Sequence, residues 1–282
     1  MSLKINYKTI KYNGLKLHYI LKTNNIPNNV PWLLFLHGFS GSSKDWLFFI
    51  EEINSFNLIA PDIIGHGASD SPVALNNYTL KEIASQLKAI LIKENIKTII
   101  PIGYSMGGRI AIQFAGYYPE LIKAMILESA SAGIKSATDR AKRIEEDNNL
   151  AENILATNLL HFFEQWFNKD IFKWEERLNK KTIKRIISER SKNSKIGLAN
   201  ILKAAGTGKM KYSLNLLKNI NVPILFIAGA LDEKFKLLVK NMAKNIEKSK
   251  VVIVDNCGHN VHLEKPEIFI NLVKSFLKNF ER

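Results

Sequence analysis

The chain has 282 residues, 46% of them hydrophobic and 23% charged, and a formal net charge of +14 at pH 7. That length suits one large α/β domain, or one carrying an insertion, better than two independent domains, and no stretch approaches the roughly 20 apolar residues that would insert in a membrane. The lysines are dispersed rather than gathered with interleaved aromatics, which argues against a nucleic-acid partner and leaves steering of a small anion as one use of the positive charge.

Met1 to Lys11 carries lysines among isolated apolar residues and lacks the apolar run and small-residue site of a secretory signal, so a cytoplasmic location is expected. Ile5 to Tyr12 and Leu15 to Lys22 alternate around Asn13-Gly14, a hairpin signal that predicts two antiparallel edge strands. Trp32 to Leu36 is continuously apolar, as in a strand buried on both faces, and stops at His37-Gly38-Phe39-Ser40-Gly41. Ser42 and Ser43 can cap a helix carrying Trp46, Phe49, Ile50 and Ile53; Asn57 to Pro61 predicts another short strand and Asp62 to Gly67 a turn. In Tyr78 to Lys93 the apolar residues fall at Leu80, Ile83, Leu87, Ile90 and Leu91, a helical period with Thr79 as N-cap.

Lys97 to Ile102 is a β-branched run entering Gly103-Tyr104-Ser105-Met106-Gly107, and a helical pattern from Ile110 to Tyr118 leaves it. Lys123 to Leu127 is the next buried strand. The alternation predicts an α/β fold with a mostly parallel central sheet and helices on both faces. From about 133 to 212 the patterns are helical only, rich in charge and in aromatics (Phe162, Phe163, Trp166, Phe167, Phe172, Trp174). This predicts a helical cap at 133–212, inserted between core segments 1–132 and 213–282. The sheet resumes at Pro223 to Ala228 and ends in Gly229-Ala230-Leu231-Asp232; a helix then leads to Val251 to Val254, the loop Asp255 to His262, and a closing helix Pro266 to Phe280.

Gly103 to Gly107 fits G-x-S-x-G, in which a serine occupies a strained strand-to-helix elbow and the glycines remove side chains that would collide with neighbours. A serine hydroxyl needs an imidazole to take its proton and a carboxylate to orient that imidazole. Asp232 and His259 follow the next two strands in the order expected, so Ser105, Asp232 and His259 are the candidate triad. Asp232 can alternatively be the N-cap of the helix from Glu233, Asp255 is a rival acid, and His262 a rival base that more naturally packs beside the closing helix. The backbone N–H groups of Met106, at a helix N-terminus, and of Phe39 are the candidate oxyanion hole. The six histidines are scattered, so no metal site is expected; Gly206-Thr207-Gly208 lacks the context of a phosphate loop. The one cysteine, Cys257, cannot form an internal disulfide, suits a reducing compartment and reads as a packed small residue.

With these residues placed, the sequence resembles the α/β-hydrolase superfamily over almost its whole length. It is similar, more closely, to the menaquinone-pathway lyase family of the 2-succinyl-6-hydroxy-2,4-cyclohexadiene-1-carboxylate synthases. The residues behind the closer likeness are Leu36 to Gly41, Gly103 to Arg109, Leu127 to Ser131, Phe163-x-x-Trp166, Gly197-Leu198-Ala199, Gly206 to Gly208, Asp232-Glu233-Lys234-Phe235 and Gly258 to His262. The resemblance implies elimination of pyruvate from a tricarboxylate cyclohexene without a cofactor or metal. It also implies that Arg109, Arg143 and Arg190 bind carboxylates and that Tyr104 and Trp166 wall the ring. Glu145 and Glu146 are acidic neighbours that could pair with Arg143. The alternative within the same fold is a serine esterase or carbon–carbon bond hydrolase using the same triad.

Overall fold

The computed structural model describes residues 5–24, 26–27, 29–168 and 177–281; Phe172 and Trp174 of the expected cap, and residues 1–4 of the expected core, lie outside them. β1 (Ile5–Tyr12) and β2 (Leu15–Lys22) pair antiparallel about a turn in which Asn13 and Gly14 both have positive φ, the backbone a two-residue hairpin needs. Of these two strands only β1 is an edge of the sheet, which corrects the expectation of two edge strands. β2 also pairs antiparallel with β4 (Leu58–Pro61), and its second half, Tyr19 to Lys22, is buried, whereas β1 alternates between half-buried and exposed residues.

β3 (Trp32–Leu36), β5 (Ile99–Tyr104), β6 (Met125–Glu128), β7 (Ile224–Gly229) and β8 (Ser249–Val254) complete an eight-stranded sheet of order β1-β2-β4-β3-β5-β6-β7-β8. All neighbours from β4 to β8 are parallel, so β2 alone runs against the rest. The chain steps from β3 outward to β4 and then back across β3 to β5. The carboxyl ends of β3 and β5 therefore flank the reversal point where open α/β sheets place ligands.

Alternate residues of the strands serve two cores. Leu34 and Leu36 pack with α2 (Leu80–Lys93), α3 (Met106–Tyr117), α8 (Leu214–Ile220) and α9 (Glu233–Ala243), while Leu33 and Phe35 pack with α1 (Leu47–Glu52) and α11 (Pro266–Leu277). Thr79 Oγ1 caps α2 by accepting from the Glu82 N–H. The helix expected after Ser42 begins instead as a 3-10 turn, Ser43–Trp46, before α1. Lys22 is fully buried, and its Nζ donates to the Ile50 and Ile53 carbonyls at 2.7 and 2.9 Å and to Asn54 Oδ1 at 2.8 Å. It thereby satisfies carbonyls that the end of α1 leaves without intrahelical donors.

Between β6 and α8, the described residues form α4 (Ala137–Ala156), α5 (Leu159–Phe167), α6 (Lys180–Arg190) and α7 (Lys195–Ala205), with no strand among them. They share an apolar cluster that includes Ile154, Phe163, Ile186 and Leu198. α7 lies directly on the turn after β4: a Cβ on Gly197 would stand 2.3 Å from the Gly65 carbonyl oxygen, so only glycine permits this approach. A short helix, α10 (Val261–Glu264), closes the loop expected from Asp255 to His262. No described helix is long and apolar enough to cross a membrane.

Candidate active site

Ser105 joins β5 to α3 at φ 50° and ψ −105°, a conformation that non-glycine residues avoid and that raises the side chain above the sheet end. Its N–H is held by the Glu128 carbonyl at 2.8 Å. The elbow closes tightly enough that a Cβ on Gly107 would lie 2.0 Å from the Leu36 carbonyl oxygen. β5 thus ends two residues later, and α3 begins four residues earlier, than apolar periodicity alone indicates.

His259 Nε2 lies 3.1 Å from Ser105 Oγ, and His259 Nδ1 lies 2.5 Å from Asp232 Oδ2. A carboxylate only accepts, so the Nδ1 proton points at Asp232 and the Nε2 lone pair faces the serine hydroxyl. Asp232 Oδ1 meanwhile accepts from the Phe235 N–H at 3.1 Å, capping α9. Asp232 thus contacts both the His259 imidazole and the first turn of α9, one oxygen to each. Asp232 and His259 are buried, and the imidazole sits between the Tyr104 ring at 5.5 Å and the Phe235 ring at 4.6 Å. Asp255 is exposed. His262 packs on Trp46 and on Phe269 of α11 and pairs with Glu128.

The serine opens into a cavity of about 560 Å³ between the sheet end and α4–α7. Phe39 and Met106 both line it; Met106 opens α3, where backbone N–H groups lack intrahelical acceptors, and Phe39 follows β3, the strand paired with β5. Among the described residues, the cations lining the same cavity are Arg109, Lys135, Arg143, Arg190 and Lys234, and no aspartate or glutamate is among the described lining residues.

Each arginine is anchored differently. Arg109, in α3, donates from Nη1 to the Ala205 carbonyl at 2.8 Å; burial, with the neighbouring Arg143 charge, brings its pKa down to about 10, which leaves it charged at neutral pH. Arg143, in α4, donates from Nε to Asp147 Oδ1 at 2.9 Å, so its acidic partner is the residue four positions on and not Glu145 or Glu146. Burial pushes the Asp147 carboxyl up against the pull of Arg143, and Asp147 Oδ2 has no hydrogen-bond partner among the described residues. Arg190, at the end of α6, pairs through Nη2 with Asp45 Oδ2 at 2.8 Å and donates from Nη1 to the Ser40 carbonyl at 3.3 Å. Trp166 stacks on Phe162 and meets Phe39 edge-on at 6.2 Å, while the Tyr104 ring covers Gly38, where a Cβ would come within 2.6 Å of it.

The remaining histidines near the site are structural. His37 donates from Nδ1 to the Gly38 carbonyl at 2.8 Å and accepts the Ile63 N–H on Nε2 at 3.0 Å. His66 is buried, and burial with the neighbouring His37 lowers its pKa to about 3. Among the described residues no group of three His, Cys, Asp or Glu side chains could hold a metal ion. Cys257 is fully buried, which pushes its thiol far up. Sequence reasoning missed Asp45, Asp147, Glu128 and the two lysines. The i,i+4 spacing of Arg143 and Asp147 was a usable signal; Lys135 and Lys234 are hidden by the abundance of lysine.

The comparisons agree with this geometry. A family model described as the α/β hydrolase fold matches residues 31–266. A Bacillus subtilis (strain 168) protein provisionally named 2-succinyl-6-hydroxy-2,4-cyclohexadiene-1-carboxylate synthase is 39% identical over 251 residues, covering 89% of this chain and 92% of that protein. The synthase of that name from Serratia proteamaculans (strain 568) is 29% identical, covering 88% of this chain and 94% of that protein. The solved structure of MenH from S. aureus superposes with a TM-score of 0.87 at 32% identity, over 94% of this chain and 99% of that one. The chain therefore belongs to the α/β hydrolase fold family and, within it, to the family of the 2-succinyl-6-hydroxy-2,4-cyclohexadiene-1-carboxylate synthases.

Proposed function

We propose that the chain is a carbon–oxygen lyase of menaquinone biosynthesis. It eliminates pyruvate from 2-succinyl-5-enolpyruvyl-6-hydroxy-3-cyclohexene-1-carboxylate to give 2-succinyl-6-hydroxy-2,4-cyclohexadiene-1-carboxylate. The observation that carries this reading is the cavity over Ser105, whose described lining residues include five cations and no carboxylate, which suits a substrate with three carboxylates. Its volume, about 560 Å³, falls in the range of small-molecule sites.

Ser105 Oγ and His259 together take the proton from ring carbon 2, alpha to the succinyl carbonyl. The freed pair forms the 2,3 double bond, the old 3,4 double bond moves to 4,5, and the carbon 5–oxygen bond breaks. The released enolpyruvate gains a proton at its methylene carbon and leaves as pyruvate. Negative charge on the succinyl oxygen faces the Met106 and Phe39 N–H groups, where a hydrolase would hold its tetrahedral oxyanion. No acyl-enzyme forms. Residues 133–212 act as the cap, supplying Arg143, Arg190 and Trp166 over the core residues Arg109 and Tyr104. The partner is this small tricarboxylate, not a nucleic acid, and the compartment we assign is the cytoplasm, which the single unpaired cysteine suits.

The test is pyruvate release from that substrate by purified protein, with the diene followed by ultraviolet absorbance. Ser105→Ala should abolish release, and Arg109→Ala should cut kcat/KM by about 10- to 100-fold, the worth of a charged hydrogen bond. No pyruvate release, together with hydrolysis of simple activated esters, would move the protein to the esterase reading.

A further inference from the structure

One buried acid next to the site has no part in the mechanism above. Glu128, the last residue of β6, is 0% exposed. Its backbone carbonyl accepts the Ser105 N–H at 2.8 Å and so helps hold the elbow in its strained conformation. Its carboxylate turns the other way and takes two bonds from one residue of the catalytic-histidine loop: Oε1 accepts the His262 N–H at 3.0 Å, and Oε2 meets His262 Nδ1 at 2.7 Å. His262 is three residues beyond His259, and Asn260 Oδ1 closes the turn between them by accepting the Leu263 N–H at 3.1 Å. The His262 ring is clamped by Trp46, stacked at 4.4 Å, and by Tyr104, edge-on at 4.9 Å; Tyr104 in turn touches His259 and is the residue before Ser105.

Burying a carboxylate is costly unless its oxygens are hydrogen-bonded, and apolar residues would fill this space as well. What apolar residues cannot do is set a distance between two segments. We infer that Glu128 is a positioning residue, a strut that fixes the His259 loop against the Ser105 elbow and so sets the serine-to-imidazole separation. One residue holds the nucleophile through its main chain and the base through its side chain. The Glu128 side chain bonds to His262 and Glu128 is not among the described residues that line the cavity, so the strut governs the chemical step and leaves substrate capture alone. This rests on Ser105 and His259 being the acting pair and is independent of which substrate they act on.

Two variants test it. Glu128→Gln keeps the size of the side chain but replaces one of the two acceptor oxygens by a donor; Glu128→Met combined with His262→Phe replaces the buried pair by an apolar one that can pack. Each is assayed for pyruvate release, for the rate at which a fluorophosphonate labels Ser105 by intact mass, and for Tm. The expected result is a Tm close to wild type for the double variant, KM within about twofold of wild type, and both kcat and the labelling rate lowered roughly 10- to 100-fold in both variants, the penalty of misplacing a reacting group by about 1 Å. Folded variants that match wild type in both rates would overturn the strut. A wild type that labels at Ser105 but releases no pyruvate would sink the lyase reading and leave the labelling comparison to decide on Glu128.

Discussion

Asp232 is placed for two duties, one in the fold and one in the proposed chemistry. Its Oδ2 orients His259, and its Oδ1 caps α9 through the Phe235 N–H. The two duties separate by substitution, because asparagine is a good N-cap but cannot hold the imidazole in the tautomer that the serine needs. Asp232→Asn should lower kcat by about 10⁴-fold with little change in Tm. Asp232→Ala should lose as much activity and, in addition, about 1 kcal/mol of stability with the cap. Equal stability of the two variants, measured by urea unfolding, would remove the capping role. Lys22 is a parallel case without chemistry, a buried ammonium retained for the carbonyls at the end of α1.

Among the connecting elements, the turn after β4 is the one that ties the front of the molecule together. Asp62 accepts from the Ser43 N–H at 2.6 Å, the Ala68 N–H at 2.8 Å and His18 Nδ1 at 2.8 Å, joining the turn to β2 and to the segment after β3. Burial alone would raise its pKa, but the His18 bond and the Ala68 and Ser43 amides outweigh it and hold the carboxyl well below the ordinary range. The same turn receives α7 and the loop before it through Gly65 against Gly197 and through the Gly67 N–H on Asn193 Oδ1 at 3.1 Å. Asp62→Asn should cost about 3 kcal/mol at neutral pH, as breaking a buried pair does. Since the folded pKa lies below the unfolded one of about 3.9, this stabilisation is complete above that value and drains away as pH falls beneath it. The gap between wild type and variant in denaturant unfolding should therefore be narrower at about pH 3 than at neutral pH. A gap that does not change would show that the carboxyl is not held down.

At the scale of the whole molecule, the charge of +14 and the cationic cavity act in the same direction. Lys135 and Lys234 are exposed yet line the cavity, which places them at its mouth, whereas Arg109 and Arg190 are half-buried. Exposed charges act at a distance only within a Debye length of about 8 Å at physiological salt. For the lyase reaction, kcat/KM should fall as salt rises from about 0.05 to 0.3 M while kcat stays level. Replacing Lys135 and Lys234 together by alanine should make that dependence shallower. A flat salt profile in the wild type would assign the excess lysine to composition alone.

The sequence by itself determined whatever depends on local backbone demands and on chain order. Asn13-Gly14 announced a hairpin because both residues must take positive φ, and Gly103 and Gly107 announced an elbow because side chains there would strike neighbouring backbone. The alternation of apolar runs with helical periods implied the parallel sheet, and the strand-end positions of Asp232 and His259 nominated the triad. Tertiary structure alone decided the pairings between distant segments. β2 became an interior strand because β4, 36 residues later at its paired Leu58, covers the edge at Lys22. Arg190 met Asp45, and Glu128 met His262 across 134 positions. No local pattern encodes such partners: a buried charge is legible in sequence only as a charge, and what it holds depends on which segments the sheet order brings beside it.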